Sequence, residues 1–295
     1  KLGVKAHTFE DPTGKYFLLM NNTVTGNSNP ADYVAGAAIN QVSTAVLGNT
    51  ISSNSALAYA GLFVAGPADT VGLVKSNIVE ANFSSEDYGH AAGITFRGKN
   101  TTGSVTRNIV RGNRGFYGAG IFVDGDIAPN FTRVNFNTVT RNKGFFGTGG
   151  FVDGGATAIV ENEIIAWNET INGESGGAFG VDSGPATRVT LINCTVAYNP
   201  SYYDEYSGGN GLAISEDTSD SVTVDVKDCI FWRNAMLPRA KEINAPGSGV
   251  LKIAFSTVDQ SLQSNAQLQL GTGMLRTDPL FADPQNDDFH LKSKS

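Results

Sequence analysis

Three aspartates stand at an even spacing: Asp124, Asp153 and Asp182 are 29 and 29 residues apart. Each follows a valine (Val123, Val152, Val181), and each precedes a turn signal, Gly125, Gly154 or Ser183-Gly184. Carboxylates repeated at one interval suit three roles. They can ligate a hard cation such as Ca²⁺, which prefers oxygen. They can act as acid and base on a polysaccharide. They can also simply bend the chain, since Asp-Gly is a turn dipeptide. Strand alternation sends each valine inward and each Asp outward. Arg97 and Ser215 take the same place on the flanking repeats. Three carboxylates ~5 Å apart would repel by several tenths of a kcal/mol per pair, so the row calls for splaying, a cation or a nearby Arg. The turn role is the leading expectation, with metal binding and catalysis as the alternatives.

Other side chains recur at the same interval. Arg114 and Lys143 are equivalent and could neutralise a uronate or act as a lyase base. So are the pairs Phe116/Tyr117 and Phe145/Phe146, which could stack on sugar rings or pack on one another beside the main body. A further aromatic group, Tyr198, Tyr202, Tyr203 and Tyr206, lies in the longest repeat, where a binding loop is expected. Asn-x-Ser/Thr acceptors for glycosylation stand at Asn21, Asn82, Asn100, Asn130, Asn168 and Asn193.

What positions these residues is a repeat that runs the length of the chain. GNRGFYGAGIFVDGD (112–126) returns as RNKGFFGTGGFVDGG (141–155). A shorter element closes on Asn27, Asn54, Asn82, Asn113, Asn142, Asn168, Asn199 and Asn234, with a drifted copy ending at Ser261. The steps are 27, 28, 31, 29, 26, 31, 35 and 27 residues. Even periods of this size mark stacked repeats. Between turn signals the segments are short and alternate apolar with polar, the period of strands. Three short strands per repeat is one coil of a parallel β-solenoid, and neighbouring coils must stack to bury their apolar faces.

The inner columns follow from the register. One is Leu19, Val46, Val74, Val105, Val134, Val160, Leu191 and Val226. Another is Val24, Ile51, Val79, Val110, Val139, Ile165, Val196 and Phe231. Between them run Asn22, Asn49, Asn77, Asn108 and Asn137, followed by Glu163, Cys194 and Cys229. An inward Asn stack can bond from coil to coil and satisfy buried backbone groups. Cysteine, small and tolerant of burial, can share that slot. Cys194 and Cys229 should lie one coil apart as free thiols, with a disulfide as the alternative.

Composition agrees. Of 295 residues, 40% are hydrophobic, enough for a core, and 17% are charged, with 35 glycines. The net charge of −7, with no basic stripe, argues against nucleic acid as a partner. No apolar run is long enough for a membrane helix. The chain begins with Lys, which suggests processing or trimming.

With its Asn stack and three-strand coils, the chain resembles the right-handed parallel β-helix proteins of the pectate-lyase-like superfamily. TDPLFADPQNDDFHLKSKS (277–295) is similar to a segment that closes many secreted or surface-anchored β-helix proteins, without the Pro-Ala-Ile-Asp motif that usually follows it. The resemblance implies an all-β, single-stranded, right-handed parallel β-helix of about nine or ten coils, located outside the cell or on its surface. It implies that the natural chain continues further. It is specific for fold and not for activity, since this fold hosts many functions. The polygalacturonase and pectate lyase signatures are absent, and His7, His90 and His290 form no recognisable triad. The expected division is a lead-in over 1–16, the β-helix over 17–261 and a C-terminal cap over 262–295. The expected function is a surface, structural or adhesive module that requires no cofactor. The first alternative is a calcium-dependent polysaccharide lyase or a glycoside hydrolase on the Asp face, using Arg97, Arg114 or Lys143. The second is a carbohydrate-binding module on the aromatic loops. Expected partners are a glycan, and a second copy or an adjoining domain at the thinly covered N-terminal end.

Overall fold

β-Branched residues on alternating positions favour short strands, and each closed coil lays one such strand into each of three long parallel sheets, with shorter parallel pairings of Ser28–Asn29, Ser55–Ala56 and Phe83–Ser84 and of Lys143–Gly144 with Glu169–Thr170 following the second-sheet strands. The computed structural model describes residues 16–29, 33–40, 43–66, 70–85, 91–98, 101–126, 130–171, 177–182, 184, 186–201, 209–214, 222–237, 240–245 and 249–292. Among these residues the first sheet has ten strands, from Tyr16–Met20 to Leu268–Leu270. The second has nine, from Thr23–Thr25 to Thr257–Val258. The third has eight, from Ala37–Asn40 to Lys241–Asn244. Eight strands in the third sheet leave seven steps between closed coils, fewer than the nine or ten expected. After the last closed coil the chain adds only partial turns.

The core is a stack of columns. Both sequence-derived inner columns are buried throughout, from Leu19 to Val226 and from Val24 to Phe231. The third sheet adds Val64, Phe96, Val123, Val152, Val181 and Ile214 in register. Each fully buried Val or Ile contributes roughly 1.5–3 kcal/mol. Just before the third-sheet strands runs a column of glycines: Gly36, Gly61, Gly93, Gly120 and Gly149. A Cβ on Gly61, Gly93 or Gly120 would stand 2.1–2.3 Å from a carbonyl oxygen of the next coil. Only a bare backbone fits there.

Two of the three bends share one construction, a single left-handed residue followed by an inward Asn. Asn21, Ser76, Arg107, Phe136, Asn162, Asn193, Asp228 and Phe255 precede the first Asn column or its substitutes with φ of 50–57°. Ser53, Ala81, Arg141, Trp167, Tyr198 and Arg233 do the same before the second, with φ of 53–59°. The conformation is costly for residues with a Cβ. It recurs because the asparagine behind it satisfies the bend.

The first ladder links each Asn to the next coil. The backbone N–H and Nδ2 of Asn77 both donate to Oδ1 of Asn108, at 2.9 and 3.0 Å. The Nδ2 of Asn108 donates to Val74 O at 3.1 Å and to Asn137 Oδ1 at 2.9 Å. The sequence then changes, but the ladder does not break. Asn137 donates to Glu163 Oε1, Cys194 N–H donates to Cys229 Sγ at 3.4 Å, and Cys229 N–H donates to Ser256 Oγ at 3.1 Å. Both cysteines are buried and free. The Cys194 thiol is pushed well up, first by its hydrogen bond with Cys229 and then by burial.

A second ladder runs parallel to the first through the closing asparagines, Asn27 to Asn234. It ends on Glu242, whose carboxylate accepts from Asn234 and from Ala235 N–H. Glu242 N–H in turn donates to Gln260 Oε1 at 2.8 Å.

The C-terminal segment closes the end only in part. Leu268–Leu270 adds the last strand of the first sheet. The hairpin Phe281–Asp283 with Asp288–Leu291 instead lies along the side of the second sheet. Phe281 and Phe289 pack there over the small outward residues Ala166 and Ala197 and beside Trp232. Trp167 Nε1 donates to Pro284 O at 3.0 Å, and Arg141 pairs with Asp287. The small outward residues open the space that the two rings fill.

Candidate functional site

The aspartate row lies at the C-terminal ends of the third-sheet strands. Arg97 registers with Asp124, and Asp124 with Asp153. Asp182 follows Val181, which registers with Val152, so it continues the row. Ser215, the next position, lies outside the described residues. The spacing therefore did identify residues on successive coils.

The electrostatics are less open than a bare row of carboxylates. Arg97 Nε stands 3.1 Å from Asp124 Oδ2, and its Nη2 stands 2.5 Å from Asp126 Oδ1. Asp124 Oδ1 accepts the N–H of Asp126 at 2.7 Å, and Asp153 Oδ1 accepts that of Gly154 at 2.5 Å. These are side-chain-to-backbone closures of the bend that an Asp at a turn makes. Asp153 is pushed up to about 7, chiefly by burial and further by Asp182 and Asp124, against the opposing Gly154 hydrogen bond. Beside the row, Tyr59 hydrogen-bonds Arg97, and burial raises its hydroxyl. Its ring lies 4.4 Å from that of Phe63. Among the described residues no three His, Cys, Asp or Glu side chains gather as a metal-binding group. Asp124, one of the three carboxylates considered for Ca²⁺, is taken by Arg97.

The other candidates sort by column. Arg114 and Lys143 are paired across coils as the repeat implies. Lys143 is held by Glu169 of the next coil, and Arg114 lies over the Phe83 ring at 6.0 Å. Phe116 stacks on Phe145 at 4.4 Å. Tyr117 and Phe146 pack with Phe151 and Phe122 on the outer face of the third sheet. These loop aromatics thus cover the sheet, and Phe146 is buried. Tyr202, Tyr203, Tyr206 and Asn100 lie outside the described residues.

Three glycosylation acceptors are corrected by their burial. Asn82, Asn130 and Asn168 are no more than 2% exposed. Asn82 and Asn168 each spend both Nδ2 hydrogens inside the second ladder, and Asn130 Nδ2 donates to Asp124 O. An amide so placed has no room for a glycan. Asn21 and Asn193 are exposed, at the left-handed position of the first bend.

Asp126, Tyr59 and Glu242 were not singled out from sequence. Asp126 sits two residues past the repeat position that drew attention, and Glu242 belongs to no copy of the Asn motif. The presence of Arg97 in the Asp column was the one available signal for the ion pair.

Fold and site together define a parallel β-solenoid with two polar ladders and a row of bend-forming carboxylates. The chain matches no family model, no curated protein and no solved structure.

Proposed function

We propose that the chain is a rigid, non-catalytic rod that serves as a structural or adhesive segment of a protein outside the cell or on its surface. The observation that carries this reading is the engagement of the repeated carboxylates: Asp124 and Asp153 close their own bends, and Arg97 is spent on Asp124 and Asp126. Continuous ladders on two bends supply stiffness that a spacer needs. The polar, weakly charged composition and the resemblance of the C-terminal stretch to surface-protein closing segments support the location.

One observation favours a second reading. Asp153, raised to about 7, stands beside Asp124. Two carboxyls on adjacent strands, one of them raised by burial, are the residue types from which a glycoside hydrolase builds its acid and its partner. A single assay separates the two. The protein is incubated with acidic and neutral polysaccharides, with and without calcium, and both reducing ends and unsaturated products are measured. The rod reading expects no turnover. Turnover that disappears in Asp153→Ala, with the melting temperature retained, overturns it.

A further inference from the structure

The last coils of the solenoid end in three strand edges: Lys241–Asn244 in the third sheet, Thr257–Val258 in the second and Leu268–Leu270 in the first. The edge of a sheet offers its outward N–H and C=O groups to any further strand. Here those groups are met, and mostly by side chains. Gln260 lies along the third-sheet edge. Its Oε1 accepts Glu242 N–H and its Nε2 donates to Ala240 O, both at 2.8 Å. A side-chain amide carries the same donor and acceptor as a peptide unit, so Gln260 makes the pair of bonds that a neighbouring strand would make. Asn265 acts alike on the first sheet. Its Oδ1 accepts Leu268 N–H at 2.6 Å, and its own N–H donates to Leu268 O at 2.8 Å. Ser264 Oγ accepts the next outward donor, Leu270 N–H, at 3.0 Å. On the second sheet the partner is backbone: Val258 N–H donates to Leu275 O at 3.0 Å, and Leu275 N–H to Ser256 O at 2.8 Å. Under these contacts the end is apolar. Leu262, Leu270 and Met274 pack partly buried against the core, and with Val258 and Leu275 they line a hollow of about 180 Å³.

We propose that Gln260, Ser264 and Asn265 are strand surrogates that keep a second copy of this chain from pairing with this end of the solenoid. A second copy is the partner they hold off because a two-fold axis brings two identical ends together. The strands Leu268–Leu270 then meet antiparallel, and both apolar hollows are covered by one self-complementary contact. A surrogate side chain prevents this at low cost in structure. It satisfies the edge without presenting a new edge of its own, as an added strand would. Ser264 and Asn265 are exposed, so each bond competes with water and is weak singly; closure rests on the three acting together. The aspartate row lies at the strand ends of the third sheet on other coils, so this inference does not depend on whether that row is catalytic.

The test compares Gln260→Ala/Ser264→Ala/Asn265→Ala with the wild type, by sedimentation velocity over a wide range of concentration and by residue-resolved amide hydrogen exchange. In the dilute triple variant the amides of Glu242, Leu268 and Leu270 should exchange at least tenfold faster than in the wild type. On concentration the triple variant should self-associate at least tenfold more tightly than the wild type, and the amides of Leu268 and Leu270 should become protected again. Ser261→Ala/Gln263→Ala, on the same segment but off the edge, should match the wild type in both measurements. The proposal is overturned if the three amides stay protected in the dilute triple variant, or if its association is no tighter than that of the wild type. It is equally overturned by association that leaves Leu268 and Leu270 unprotected, because the copies then meet elsewhere or through unfolded chain, and by a control pair that associates as the triple variant does.

Discussion

Glu163 and Glu242 occupy places that other coils give to amides. Both are buried, and burial pushes both carboxyls up, Glu242 to about 7 from an ordinary 4.5. The groups that face Glu242 are the donors Asn234 and Ala235, which oppose the shift, and Asp259, which adds to it. The folded chain therefore holds this proton more tightly than the unfolded chain does. The resulting stability is fully present below about pH 4.5 and is lost as pH rises to about 7. Asp153 acts in the same direction between 3.8 and about 7. The melting temperature should accordingly fall across this window, and Glu242→Gln should flatten part of the slope. The share due to Glu242 is at most roughly 3 kcal/mol. A slope identical in wild type and Glu242→Gln would remove this carboxyl from the account. Asn108 gives a simpler case. Its Oδ1 receives two donors from Asn77, so Asn108→Ala leaves a buried backbone N–H unpaired and should destabilise by about 1–3 kcal/mol in urea unfolding. The cysteines should titrate as two thiols after denaturation without reductant, and should resist modification while folded.

At the scale of the element, the glycine column and the hairpin make different demands. Gly93→Ala would place a methyl 2.1 Å from Gly120 O and 2.8 Å from Val110, so two coils must part. A loss of about 1–3 kcal/mol or more is expected from such overpacking, read as a lowered melting temperature. Phe289→Ala should instead act locally. It should loosen the hairpin, expose Trp167 and shift its emission to the red, while the far-ultraviolet spectrum of the sheets stays the same. These two elements also mark what could be read from sequence. Valine and asparagine columns were legible because each contact joins residues one period apart, and the period is written in the chain. The hairpin contact joins Trp167 to Pro284, 117 residues away, and no periodicity announces it. Glu242 was missed for a related reason: it lies only eight residues from Asn234 and enters the second ladder from outside the repeat. The Asp row was legible together with its turn role, from the Asp-Gly dipeptides, and Arg97 stood in the same column; Asp126 as the second partner of Arg97 was not, because its place depends on a backbone turn that the repeat alone does not specify.

For the molecule as a whole, contacts run almost entirely between neighbouring coils, so stability is close to a sum of coil and interface contributions. Ten strands in the first sheet at ~4.8 Å per step give a length of roughly 45 Å, which small-angle scattering can check. The same layering has a mechanical consequence. Sheet hydrogen bonds point along the rod, so a pull between the two ends loads one interface at a time, and the coils peel off singly. Each detached coil frees 26 to 35 residues, the spacing between successive ladder asparagines. At ~3.4 Å per residue that is roughly 90–120 Å of slack per coil. Under tension the solenoid would pay out chain in a series of similar steps, lengthening many times over before the last coil gives way.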